Sequence, residues 1–135
     1  MKTCPRLLIP FLIPFFTLCA GLPAAAATLD AKAAKSLISD RVWQQKYQSG
    51  PTFNYWSWKS DGSVCLQLRT YDKTAKCTDT GRWKLEAERL CYELTWFGAS
   101  QGRKAACFRI ANQGEGRYEA ISDNGLTFFE FSVVQ

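Results

Sequence analysis

Arg89-Leu90-Cys91-Tyr92-Glu93-Leu94-Thr95-Trp96-Phe97 places a large apolar side chain at every second position. Side chains alternate between faces along an extended strand, so Leu90, Tyr92, Leu94 and Trp96 share one face, read as inward, and Cys91, Glu93, Thr95 and Phe97 share the other. The three-to-four spacing of a helix is missing from this stretch. The same alternation recurs on both sides of it. Ala106, Phe108 and Ile110 oppose Ala105, Cys107 and Arg109, and Val64, Leu66 and Leu68 oppose Cys65, Gln67 and Arg69. Three of the four cysteines beyond residue 27 therefore fall on the less apolar face.

A hairpin whose turn is centred near Ala99 sets Cys91 opposite Cys107, and one centred on Tyr71 sets Cys65 opposite Cys77. Directly opposed Cα atoms in an antiparallel ladder lie about 4.5 to 5.5 Å apart, within the reach of a disulfide. The spacing predicts two bonds, Cys65 with Cys77 and Cys91 with Cys107, each bridging one hairpin.

Working outward, extended runs are predicted at 42–47, 53–59, 63–69, 76–85, 89–97, 103–111, 116–121 and 126–133. Asp61-Gly62 and Asn124-Gly125 favour type I′ hairpin turns, in which both central residues have positive φ. Asn112-Gln113-Gly114-Glu115-Gly116 reads as a turn rather than an anion cradle, because no helix follows it. Only Asp30 to Ile38 has helical spacing, with Asp30 as the cap and Ala34, Leu37 and Ile38 on one face. The expected fold is mainly β: a small antiparallel meander of about eight strands, forming a barrel or a curled sheet so that no edge is left open, with one short N-terminal helix.

Lys2 and Arg6 precede an apolar run from Leu7 to Ala20, and Gly21-Leu22-Pro23 then leads into Ala24-Ala25-Ala26-Ala27. This is the layout of a signal peptide, with cleavage expected after Ala27 and one disulfide-stapled domain over 28–135. The apolar run is shorter than the roughly twenty residues needed to span a bilayer, and Pro10 and Pro14 interrupt it. Leu18 stands before Cys19, where a lipidation box needs a small residue. Removing 1–27 lowers the net charge from +5 to +3. Arg103-Lys104 is the densest basic pair, so neither a nucleic-acid partner nor, after cleavage, a stable membrane span is expected. A periplasmic or secreted location suits an even set of four cysteines.

The chain has no histidine. The usual general base, the Ser-His and Cys-His pairs and the commonest metal ligand are thereby removed, and bridged cysteines remove thiolate chemistry. No metal, no cofactor and no enzymatic activity are expected. Glu86, Glu88, Glu93, Glu119 and Glu130 are the carboxylates from which a hydrolytic pair would have to come, and Glu130 is the most unusual because it stands between Phe129 and Phe131. Five tryptophans, Trp43, Trp56, Trp58, Trp83 and Trp96, serve as core filling or as a platform for a ligand. Phe53-Asn54-Tyr55-Trp56-Ser57-Trp58 is the densest aromatic stretch. The candidate binding residues are Tyr55, Trp56, Trp58 and Trp96.

Trp56-Ser57-Trp58 followed by Asp61-Gly62, then Gly81-Arg82-Trp83, Arg89-Leu90-Cys91-Tyr92 with Trp96, and Cys107-Phe108 resembles a family of small exported proteobacterial proteins grouped as a domain of unknown function. The likeness covers roughly residues 40–131. It implies an export signal, one β-rich domain and a shared disulfide corresponding to Cys91 and Cys107; Cys65 and Cys77 lie outside that pattern, and the family brings no catalytic residues. The functional expectation is an exported binding module that recognises a small amphipathic ligand or an envelope protein through an aromatic face. The alternative is an inhibitor or immunity-type protein acting through an exposed loop, 98–104.

Overall fold

The computed structural model describes residues 26–46, 53–96 and 103–135. The predicted signal peptide, apart from its last two residues, and most of loop 98–104 lie outside the described residues. Helix α1 spans Ala31–Ile38, and Asp30 caps it by accepting the Ala33 N–H at 2.7 Å. Ala34 and Ile38 are buried and Leu37 packs beside them, so the predicted face is the one that faces the core. Asp40, at φ 57°, turns the chain out of the helix into the sheet.

Eight strands follow: β1 Arg41–Lys46, β2 Phe53–Trp58, β3 Ser63–Leu68, β4 Asp79–Glu86, β5 Arg89–Leu94, β6 Ala105–Gly114, β7 Arg117–Ile121 and β8 Thr127–Val133. Each pairs antiparallel with the next, and β8 returns to β1 through Trp43↔Val133, Gln44↔Ser132 and Gln45↔Phe131, closing the barrel. A closed eight-strand barrel has an interior about wide enough for side chains to fill. Helix α1 sits at the end where β1 starts; the Leu37 carbonyl accepts the Trp43 indole N–H at 3.0 Å. Among the described residues no helix is long and apolar enough to cross a membrane.

Both predicted disulfides are present. Cys91 is the register partner of Cys107, with Cα atoms 4.1 Å apart. Cys65 is bonded to Cys77, with Cα atoms 5.4 Å apart, but its ladder partner is Thr80. β4 thus starts at Asp79 rather than near 76, and Cys77 belongs to the preceding loop. That loop folds back over the outside of the barrel onto Gln67. The Gln67 amide donates to the carbonyls of Asp72 (2.9 Å) and Ala75 (3.3 Å) and accepts the Asp72 N–H (3.1 Å). Gln67 is buried in consequence, although alternation assigns it outward.

The Asp-Gly and Asn-Gly hairpins occur where expected but with a different turn. Gly62 (φ 83°) and Gly125 (φ 81°) alone adopt positive φ; Asp61 and Asn124 do not. Gly62 N–H donates to the Lys59 carbonyl and Gly125 N–H to that of Ser122, which makes each a type I turn closed by a glycine bulge. Asp61 and Asn124 act through their side chains, which accept the N–H groups of Ser63 (2.7 Å) and Leu126 (3.2 Å). Gly81 meets a separate demand. A Cβ there would stand 2.0 Å from the Glu93 carbonyl oxygen, so β4 and β5 can approach as they do only through glycine.

Candidate functional site

Among the described residues, stacked and edge-on aromatic rings pack the barrel interior. Trp43 stacks on Phe131 (centroids 3.8 Å apart), Trp56 stacks on Trp58 (5.3 Å), and Trp58 meets Trp83 edge-on (6.3 Å). Most of the indoles also have acceptors. Trp56 Nε1 donates to Gln45 Oε1 at 2.6 Å and Trp83 Nε1 to the Lys59 carbonyl at 2.8 Å, whereas Trp58 Nε1 is buried without one. Burial pushes the Tyr92 phenol up to about 12, because its charged form would lie inside this apolar packing.

The four candidate binding residues consequently separate. Trp56 and Trp58 are core, and Tyr55, which precedes them on the same strand, faces the outer wall. Trp96 is 58% exposed, contrary to its inward assignment. The reason is local: β5 ends at Leu94, and the buried Asp79 carboxylate takes the Trp96 backbone N–H at 2.8 Å, drawing the chain out of its alternation. The same oxygen accepts the Thr80 N–H at 2.7 Å, while Oδ2 has no partner.

The outer wall of β1, β2, β7 and β8 brings polar and aromatic groups together. Gln44 donates to the Tyr55 hydroxyl at 2.9 Å, and Tyr55 lies 5.8 Å from the Tyr71 ring, which belongs to the loop held by Gln67. Beside Gln44 is a hollow of about 230 Å³, lined by Lys46 and Phe53 from the first two strands and by Arg117, Glu119, Glu130 and Ser132 from the last two. Glu119 and Glu130 are register partners across β7 and β8, and Arg117 pairs with Glu115 at 3.5 Å. The closing of β8 onto β1 assembles this site, so single-strand alternation cannot find it. The usable signals are Glu130 between two phenylalanines and the outward half of the 53–58 stretch.

The remaining carboxylates do not join the pair. Glu86 binds Lys84 at 2.5 Å, and that contact holds its carboxyl below the ordinary range; Glu88 lies in the β4–β5 turn, and Glu93 faces out opposite Arg82. Ligand atoms of Glu86, Cys91 and Cys107 cluster within 4.8 Å, but both sulfurs belong to the disulfide and offer no thiolate to a metal.

No protein-family model, no curated protein and no solved structure matches this chain. The motifs of the family resemblance have structural positions of their own. Trp56, Trp58, Trp83 and Tyr92 pack the interior, Gly81 sets the β4–β5 spacing, and Cys91 and Cys107 staple the next hairpin. Those motifs build the barrel, and the hollow is made from other residues.

Proposed function

We propose that this chain is an exported, non-enzymatic binding module that holds a small amphipathic ligand on its outer wall, in the hollow between β1 and β8. The observation that carries the reading is the composition of that hollow: the Phe53 ring, two cationic side chains, Lys46 and Arg117, and the Glu119–Glu130 pair converge on one concavity, while Trp43, Trp56 and Trp58 fill the core. Binding sites combine an apolar patch with a few converging polar groups in this way. Export is supported by the charged and apolar order of the first residues and by the two disulfides, which persist in oxidising compartments. The absence of histidine from the sequence favours binding over catalysis.

A thermal-shift screen of residues 28–135, disulfides intact, against peptidoglycan fragments, sugars, tetrapyrroles and lipids tests the reading. A ligand at a hundred times its Kd adds about 2.7 kcal/mol, which moves the Tm of a domain this size by roughly ten degrees or more. The shift should vanish in Lys46→Ala and Glu130→Gln. A ligand whose shift survives both substitutions, or a panel that yields no shift, overturns the assignment. The exposed Trp96 supports a second reading, a protein partner. Exposed tryptophans are frequent anchors of interfaces, and the backbone of this one is fixed by Asp79.

A further inference from the structure

Arg89 and Arg109 form a second cationic feature, on the outer wall of β5 and β6 and outside the hollow. Extending the Leu90↔Phe108 register by one residue sets the two arginines opposite each other, next to the Cys91–Cys107 bridge. Like charges directly opposed across a ladder weaken it. Each arginine also keeps a buried Nε–H without an acceptor, and these two atoms are half of the four buried, unpartnered side-chain polar atoms found among the described residues. Such orphaned donors are uncommon in folded proteins, and each costs free energy unless water or an ion satisfies it.

The surrounding acids do not meet the demand. Asp123 reaches Arg89 through one contact, Oδ2 to Nη2 at 3.2 Å, and Glu86, the register partner of Arg89 on β4, is engaged by Lys84. The register partner of Arg109 on β7 is Ile121, which has no acceptor to offer. The Arg89 side chain is 41% exposed, so an incoming group can reach it from solvent.

We propose that Arg89 and Arg109 together form a binding site for a tetrahedral oxyanion of the phosphate type. A guanidinium presents a planar fork of donors that grips oxygens in pairs. A carboxylate has two oxygens and is satisfied by one fork. A phosphoryl group has more oxygens and up to two charges, so it engages both forks and neutralises the repulsion between them. The group could come from a free phosphate ester or from a lipid headgroup, and both have the same chemistry at the arginines.

The test uses residues 28–135 with both disulfides formed, melted in inorganic phosphate and in chloride at equal pH and ionic strength. Phosphate should raise the Tm by several degrees in a saturable way. Arg109→Gln and Arg89→Gln should each weaken the apparent affinity at least tenfold, and Arg109→Lys, which keeps the charge without the fork, should fall between. Glu130→Gln, in the hollow, should leave the phosphate response intact, so this site and the proposed hollow can fail separately. Equal melting in phosphate and chloride, or an undiminished response in both Gln variants, overturns the proposal. Vesicles of phosphatidylglycerol and of phosphatidylcholine, compared with soluble glycerol phosphate, separate the sources. Arginine-dependent capture by the anionic vesicles alone assigns the site to a headgroup, and a response to the soluble ester alone assigns it to a free phosphate.

Discussion

The β3–β4 and β5–β6 hairpins are each closed by one disulfide on the outer wall, yet the two bonds do different work. In β5–β6 the bonded cysteines are ladder partners, so the bridge lies along a line the backbone already holds. In β3–β4 the ladder partner of Cys65 is Thr80, and the bridge reaches past it to hold down a loop that Gln67 also grips from beneath. Cysteine separations of 16 and 12 restrict the unfolded chain to a similar extent. What differs is the native state that each bond leaves behind when it is removed. A freed ladder keeps its order and the full unfolded-state benefit is lost, whereas a freed loop gains entropy of its own and offsets part of the loss.

The largest effect is expected from forcing the two hairpins apart. Gly81→Ala would push a methyl into the Glu93 backbone between them, and a loss of about 3 kcal/mol is expected in urea unfolding. A cost under about 1 kcal/mol would mean that β4 and β5 are not held at this spacing. Alkali acts on the inner face of the second hairpin. The Tyr92 phenol ordinarily titrates near 10.0 and is pushed up to about 12 here, so between these values the unfolded chain gives up a proton that the folded chain keeps. Stability should fall as pH rises through that window, by roughly 2 to 3 kcal/mol at its upper end, and Tyr92→Phe should remove this fall. A parent and variant with the same alkaline profile would show that Tyr92 does not carry it. Removing each disulfide should have smaller and unequal effects. Replacing Cys91 and Cys107 by Ala should cost about 2 kcal/mol with unchanged hydrogen exchange in the neighbouring loops. Replacing Cys65 and Cys77 should cost about 1 kcal/mol and speed exchange across residues 69–78. Equal costs and equal exchange would erase the distinction.

Much of this architecture is legible in the sequence because it depends on local rules. The Asp30 cap, the single helix, eight alternating segments and the partners of all four cysteines follow from spacing alone. The pairing of Cys65 with Cys77 is nevertheless reached through a register the structure replaces, since symmetric arithmetic takes no account of a loop folded over Gln67. Trp96 departs from its alternation because a buried carboxylate draws the chain away where the strand ends, at Leu94, three residues early, and nothing in the period of β5 signals Asp79. The candidate site was harder still to read. Tyr55, Trp56 and Trp58 lie within four residues, yet a pleated strand sends the first outward and the other two into the core. Glu119 and Glu130 meet only because β7 pairs with β8, and Lys46 joins them only because β8 closes on β1.

That closure also bears on how the chain reaches its fold. The β1–β8 seam has only three register pairs, and it joins residues from opposite ends of the domain, Gln45 with Phe131. Every other strand pairing links neighbours in sequence and can form early, whereas the seam has to wait for a loop spanning nearly the whole domain to close. Until it does, β1 and β8 present bare backbone edges, and β8 carries Phe128, Phe129 and Phe131. The interval before closure is when two copies could pair edge to edge, and once the seam has formed that route to aggregation is shut.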